Sequence, residues 1–430
     1  MCECIPGRLI FIRDREDQIA AGVLASVQQG EIEGVSYQRS MDDVLAAGGH
    51  RFDRGRSELH LLEVEPGLEV WSAGELQFRY QSAFLGHVAA GEIQAEDVVG
   101  HPFADPSRRL VAAPDFAVGF AGAPVTGFEF DVATRLAYSD LLGLRYAQAG
   151  GNEGRGVSIA VVDSGLDANA AIPAGPASRS FHDDANWTSI DDEYGHGTAV
   201  ASVISDIAPE SNLTVLKIGD RNPLSEWHLA AAMLYGVTAD VMNLSVAYGL
   251  GPQACSVCGH QAAGSARSAV FERVVTDISN INPHLIIVAA AGNHSRDQLD
   301  FPARFSNVVA VGAINSQKNV ATYSNKGAKD QTGRAHKNLF FAPGGDGDEY
   351  IGTSTRADGS ETRWRGTSFA APYVSAMLAL HLSWCKANLG DLPSVESALK
   401  PFRMTAKKSI PDYTAGIHGN GVIQGFRVAD

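Results

Sequence analysis

VSIAVVDSG spans residues 157–165. It is an almost continuously apolar run of strand length that ends on a carboxylate, followed by the turn residues Ser164 and Gly165. Strands of this kind are buried on both faces, which is the habit of parallel sheets. Four further runs have the same character: NLTVLKI (212–218), DVMNLSV (240–246), HLIIVAAA (284–291) and NVVAVGAI (307–314). Helical spacing separates several of them, as in LSEWHLAAAMLYGV (224–237) and RSAVFERVVTDISN (267–280). The alternation predicts an α/β fold from about residue 131 to the end, a mostly parallel sheet with helices on both faces. In such sheets the active site lies beyond the carboxyl ends of the strands.

Upstream the pattern changes. Residues 1–100 read as a smaller α/β domain: RLIFIR (8–13) as a strand, DREDQIAAGVLASVQQ (14–29) as a helix with acidic residues in its first turn. ELHLLEV (58–64) and LEVWSA (68–73) flank Pro66-Gly67 and predict a hairpin. Residues 101–130 carry four prolines, several glycines and little periodicity, the composition of an extended connector.

The whole chain has 430 residues, 45% of them apolar and 19% charged, with a formal charge of -15. That composition fits a globular protein with a large core, and the negative charge disfavours broad binding to nucleic acid or anionic lipid. No run approaches the roughly 18 apolar residues of a membrane span, and the LIFI run near the N-terminus is shorter than a signal peptide's core. Cytoplasmic residence is the resulting expectation. The five cysteines are few and clustered, unlike a secreted disulfide framework. GxSxG, HExxH and phosphate-loop motifs are absent, and AGGNEGRG (149–156) precedes a strand, so it reads as a turn.

Four residues carry the chemistry in this reading. Asp163 sits at the carboxyl edge of its strand, where a charge needs a partner; a turn or cap carboxylate is the competing account. His196, in YGHGTAVASVISDIAP, has glycine on both sides, which leaves the imidazole accessible at a helix start. Ser368, in RWRGTSFAAPYVSAMLALHL, begins a helix apolar on nearly all sides. A serine there is an ordinary N-cap, yet the same helix end offers free N–H groups to a developing oxyanion. Asn293 closes the strand in IIVAAAGN, as a turn residue or as an amide donor to a substrate carbonyl.

Taken together, VVDSG, GHGT, AAAGN and GTSFAAP, in that order, resemble the subtilisin-like serine peptidases, the subtilases, over about residues 140–430. MNLSV (242–246), FPARFSNVVAVGA (301–313), FFAPG (340–344) and GNGVIQGFRVAD at the end are similar to family core segments. The resemblance implies a serine endopeptidase acting on a protein or peptide: Asp163, His196 and Ser368 as a triad, and Asn293 as an oxyanion donor. It also implies a primary substrate pocket bounded by Ser245, Val246 and Ala247 and by Ala289, Ala290 and Ala291. Catalysis of this kind requires no cofactor, and SDIAPES (205–211) leaves no room for the calcium loop common in secreted relatives. Phe369 stands where methionine is frequent in the family, and Ala199 and Ser202 depart from the usual pattern after the histidine. DDE (191–193) is either a subsite for a basic residue or solvated loop charge. In the insert 248–266, Cys255, Cys258 and His260 are candidate zinc ligands, with Cys2 and Cys4 to complete the set; a redox pair is the rival account. Relatives use an N-terminal segment as a strand added in the cleft, and residues 1–130 are expected to restrain the protease in that way. A dedicated processing protease and an inactive binding module are the alternative functions; the oligomeric state is left open.

Overall fold

The computed structural model describes residues 4–47, 57–64, 72–73, 76–77, 79–80, 112–125, 138–182, 187–221, 224–247, 264–355 and 361–426. Two compact units result: residues 1–117 with 225–231 and 250–281, and residues 118–224 with 232–249 and 282–430. Residues 112–116 fall in the first unit, where they pair with Cys4–Asp14.

That first unit holds an antiparallel sheet. Strand Cys4–Asp14 lies between Ser57–Val64 and residues 112–116, and Ser57–Val64 takes Val35–Ser40 on its other edge. Both edges of Ser57–Val64 are therefore occupied, which leaves no place beside it for the expected hairpin partner. Ser72 and Ala73 are helical instead, and residues 65–71 lie outside the described residues. Helix Gln18–Gln28 is capped by Asp17, whose carboxylate accepts from the Ile19 and Ala20 amides and from Tyr80. Val23, Leu24 and Val27 on that helix pack with Leu9, Phe11 and Leu62 of the sheet.

The second unit contains seven parallel strands. Their spatial order is Leu339–Pro343, Val309–Ile314, Ile286–Ala290, Val241–Leu244, Ser158–Asp163, Asn212–Lys217 and Arg179–Ser180. Every residue of Ile286–Ala290, Val309–Ile314 and Leu339–Pro343 is buried, so both faces of the sheet are covered there. Helix Thr367–Leu389 packs across the four strands from Val241 to Pro343, and helix His196–Ile207 lies beside it against Ser158–Asp163. The parallel α/β fold expected from the sequence is present. Among the described residues, no helix is long and apolar enough to cross a membrane.

Helix Thr367–Leu389 also carries a pH-sensitive contact. His381 is wedged against the rings of Phe402 (5.6 Å) and Phe426 (5.2 Å), and burial pushes its imidazole down to about 4 from an ordinary 6.5. The folded chain keeps this group neutral, while the unfolded chain protonates it below pH 6.5. Its contribution is therefore complete above pH 6.5 and is lost as the pH falls toward 4, a change of about 3 kcal/mol. His381→Leu is expected to flatten the decline in unfolding midpoint between pH 6.5 and 4; an unchanged decline would show that other groups govern it.

Candidate active site

The carboxyl ends of the central strands bring the four expected residues to one place. Asp163 is the last residue of its strand and is fully buried. Its Oδ1 accepts from the Ser164 amide at 2.8 Å and lies 2.7 Å from Nδ1 of His196, the first residue of its helix. Burial raises the Asp163 carboxyl, and the imidazole and the Ser164 amide act against that rise. The His196 ring is enclosed by three aromatic rings: Tyr194 stacks at 6.3 Å, Trp364 meets it edge-on at 5.4 Å and Phe369 lies at 5.2 Å. Such walls keep water from the imidazole. Tyr194 lies in a loop and Trp364 in the short strand Glu361–Arg365, where nothing in the spelling marks them.

Of DDE, Asp192 is used internally. Its carboxylate accepts from Ser164 Oγ (2.8 Å), the amides of Tyr194 (3.2 Å), Gly195 (2.8 Å) and Thr198 (2.8 Å), and Thr198 Oγ1 (2.6 Å). Ser164 Oγ in turn accepts from the Gly197 amide at 2.8 Å. Asp192 thus caps the helix that carries His196 and ties it to the turn after Asp163. It has no capacity left for a substrate's basic group.

Ser368 is the second residue of helix Thr367–Leu389. Its Oγ donates to the carbonyl of Ser245 at 2.8 Å, and Ser245 Oγ donates back to the Ser368 carbonyl at 2.7 Å. Pro372 explains the second bond: it lacks the N–H that would otherwise pair with the carbonyl four residues earlier. The proline is therefore not merely tolerated near the helix start; it frees the Ser368 carbonyl for Ser245. Behind this pair, fully buried Asn243 donates to Ser245 Oγ (2.9 Å) and accepts from Ser375 Oγ (2.9 Å). Asn243→Ala would leave the buried Ser375 hydroxyl without its acceptor and take one donor from Ser245 Oγ, which keeps its bond to the Ser368 carbonyl, a loss of about 1–3 kcal/mol. The expected outcome is a lower denaturation midpoint with reduced kcat; an unchanged midpoint would remove Asn243 from the support of the site.

Asn293 is oriented from behind. Its Oδ1 accepts from the Thr367 amide (3.0 Å) and hydroxyl (2.8 Å), which turns Nδ2 toward the carbonyl of Ala121, 2.5 Å away. The Ser368 amide donates to the same oxygen at 3.0 Å. Two donors from separate elements converge on one carbonyl, the arrangement of an oxyanion hole. Gly366, at φ 146°, makes room for it: a Cβ there would lie 2.5 Å from that oxygen and 3.1 Å from Asn293 Nδ2. Gly366→Ala and Asn293→Ala should each lower kcat by about 10²–10³, with little change in KM. Activity unchanged in either variant would show that the carbonyl site is not catalytic.

Of the six expected pocket residues, Ala247 and Ala290 form a buried cluster with Ala121. The Ser245 carbonyl accepts from the Ala121 amide at 3.1 Å, and Val246 and Ala247 pair antiparallel with Phe120 and Gly119. Ala289 and Ala291 are buried and bonded within the fold: Ala289 pairs with Leu244 and Ala310, and the Ala291 carbonyl accepts from the Asp300 amide and Asn325. Cys255, Cys258 and His260 lie outside the described residues. Among the described residues, no cluster of three or more potential metal ligands occurs.

Comparison with known proteins agrees with this geometry. A family model described as "Subtilase family" matches residues 154–411. The chain is 27% identical over 294 residues to an intracellular serine protease of Paenibacillus polymyxa, covering 63% of this chain and 79% of that one. It is 29% identical over 258 residues to the minor extracellular protease Epr of Bacillus subtilis (strain 168), covering 55% of this chain and 34% of the relative. A solved structure titled a lanthipeptide protease superposes with a TM-score of 0.54 at 20% identity, over 71% of this chain and 98% of that one, a likeness of fold. By sequence, by sheet topology and by the meeting of Asp163, His196, Asn293 and Ser368, this chain belongs to the subtilase family of serine endopeptidases.

Proposed function

We propose that Ser368 is the nucleophile, His196 its general base, Asp163 the group that orients the imidazole, and Asn293 with the Ser368 amide the oxyanion hole. The observation that carries this reading is the Ala121 carbonyl, held by Asn293 Nδ2 and the Ser368 amide at the start of the nucleophile's own helix. Acyl transfer follows: Ser368 Oγ attacks a scissile carbonyl as His196 Nε2 takes its proton, His196 returns a proton to the departing amine, and water hydrolyses the ester. Asp163 accepts from the imidazole's Nδ1–H, which leaves Nε2 as the basic nitrogen, and it stabilises the imidazolium that forms. No step asks for a metal or organic cofactor.

The substrate is a polypeptide laid as a strand on Val246 and Ala247, the mode in which main-chain bonds supply affinity. Residues 118–122 already occupy that position, which supports restraint of the enzyme by its own N-terminal part. Cytoplasmic residence is supported by the likeness to an intracellular relative, while the extracellular relative points the other way. Dedicated processing of one peptide is the second reading, favoured by the tight fit around Gly122, where a Cβ would lie 2.6 Å from His196 Nε2. A purely binding role is disfavoured by the Asp163–His196 contact and by the two donors that converge on the Ala121 carbonyl.

Labelling of the purified full chain by a fluorophosphonate tests the reading. Labelled wild type and unlabelled Ser368→Ala are expected; a label on any other residue would reassign the nucleophile.

A further inference from the structure

Strand Glu361–Arg365 runs directly into the oxyanion site, since Arg365 is followed by Gly366, Thr367 and Ser368. It pairs antiparallel with Ala123–Val125: Ala123 with Arg365, Pro124 with Trp364 and Val125 with Arg363. Just before that pairing, the Ala121 carbonyl is held by Asn293 Nδ2 and the Ser368 amide. A substrate strand in the same place, with its scissile carbonyl on those two donors, sets the second residue after the bond opposite Arg365.

Side chains alternate between the two faces of a strand. Trp364 is buried and meets His196 edge-on at 5.4 Å, so Arg363 and Arg365 belong to the opposite face. The two arginines differ in what they hold. Arg363 lies 3.2 Å from the Glu361 carboxylate and over the Tyr350 ring at 5.0 Å. The side chain of half-buried Arg365 makes no hydrogen bond or ion pair among the described residues. Two carboxylates share its surroundings at the Tyr323 hydroxyl, and both are engaged. Asp346 accepts from Thr322 and the Gly347 amide, and Glu349 from Tyr138 and Ser316.

We propose that Arg365 determines specificity, and that the enzyme selects polypeptides carrying Asp or Glu at the second position after the cut bond. The inference rests on the catalytic assignment above. Residues directly opposite in an antiparallel pair bring their Cβ atoms to about 5 Å, so a carboxylate there reaches the guanidinium without bending the strand. The planar N–H fork of arginine matches both oxygens of a carboxylate, and partial burial limits competition from water. A charge-assisted bond of this kind is worth about 10-fold in selection. Position 123 of the chain itself is alanine and supplies no charge, so an acidic substrate gains a contact that the resident strand lacks.

Competition at Ser368 tests this on the full chain. Two peptides are titrated against fluorophosphonate labelling: VGFAGAPV, the sequence of residues 118–125, and VGFAGDPV, changed only at the position opposite Arg365. The acidic peptide should protect Ser368 at about 10-fold lower concentration. Arg365→Ala should bring the two peptides level, and Arg365→Glu should make VGFAGKPV the better protector. Each comparison is a ratio on one preparation, so a smaller folded fraction does not alter it. A second measurement needs no peptide. Ala123→Asp should tighten the resident strand and slow labelling about 10-fold, an effect lost when Arg365→Ala is added. Equal protection by the two peptides, a preference that survives Arg365→Ala, or labelling unchanged by Ala123→Asp would each overturn the proposal while leaving the catalytic assignment standing. Failure of the wild type to take the label would instead bring down that assignment.

Discussion

Ser368→Ala is expected to lower kcat for a peptide substrate by about 10⁶ while leaving the fold and its denaturation midpoint nearly unchanged. The hydroxyl's recorded bond is to the Ser245 carbonyl, which also accepts from the Ala121 amide and so keeps a partner when the hydroxyl is removed. The cost in stability is therefore that of one hydrogen bond, about 1 kcal/mol. Residual activity comes only from the two donors at the Ala121 carbonyl. Single-turnover kinetics beside a urea titration measure both quantities. A loss of only one or two orders of magnitude would mean that a different nucleophile acts.

Asp163→Asn should cost about 10⁴ in kcat without loss of stability. An asparagine amide at this position donates to Nδ1 of His196 where the carboxylate accepts, so the proton moves to Nε2 and the base is lost. Stability follows a different sign. Burial raises the folded-state carboxyl, so the ionised form is disfavoured in the fold and the stability contribution falls as pH rises above the unfolded value of 3.8. A neutral asparagine removes that penalty, and at pH 7 the variant should melt no lower than wild type. Activity and melting temperature moving in opposite directions would be the signature of a residue kept for chemistry. A parallel fall in both would make Asp163 a structural group.

The candidate site residues were readable because each lies in a local phrase: a strand-ending carboxylate, a histidine between glycines, a serine opening an apolar helix. The sheet was readable for the same reason, since VSIAVVD or HLIIVAAA is apolar at consecutive positions. Arg179–Ser180 carries too few residues to show any period. What joins distant parts of the chain stayed hidden. Residues 101–130 read as a connector because the strand pairing of 112–125 within them is made of main-chain bonds, which impose no side-chain pattern. Asp192 read as a substrate subsite or as solvated loop charge, because only the folded chain brings Ser164, Gly195 and Thr198 to it. The reason for Pro372 likewise required Ser245, from another strand, to be seen at the Ser368 carbonyl.

The order of the parallel strands has a consequence for the chain as it is being made. Ser158–Asp163 lies inside the sheet, and beyond it Val241–Leu244, Ile286–Ala290, Val309–Ile314 and Leu339–Pro343 follow in both space and sequence. On a ribosome releasing about 5–20 residues each second, every one of these strands would emerge to find its neighbour already waiting. On this side the sheet can thus grow outward by addition at one open edge; on the other, Asn212–Lys217 enters between Ser158–Asp163 and Arg179–Ser180, both made before it. Helix Thr367–Leu389 spans four of the strands and can dock only when the last has been laid down. Since that helix brings Ser368 and one of the two oxyanion donors, the nascent chain stays chemically silent until almost all of its second unit has left the ribosome.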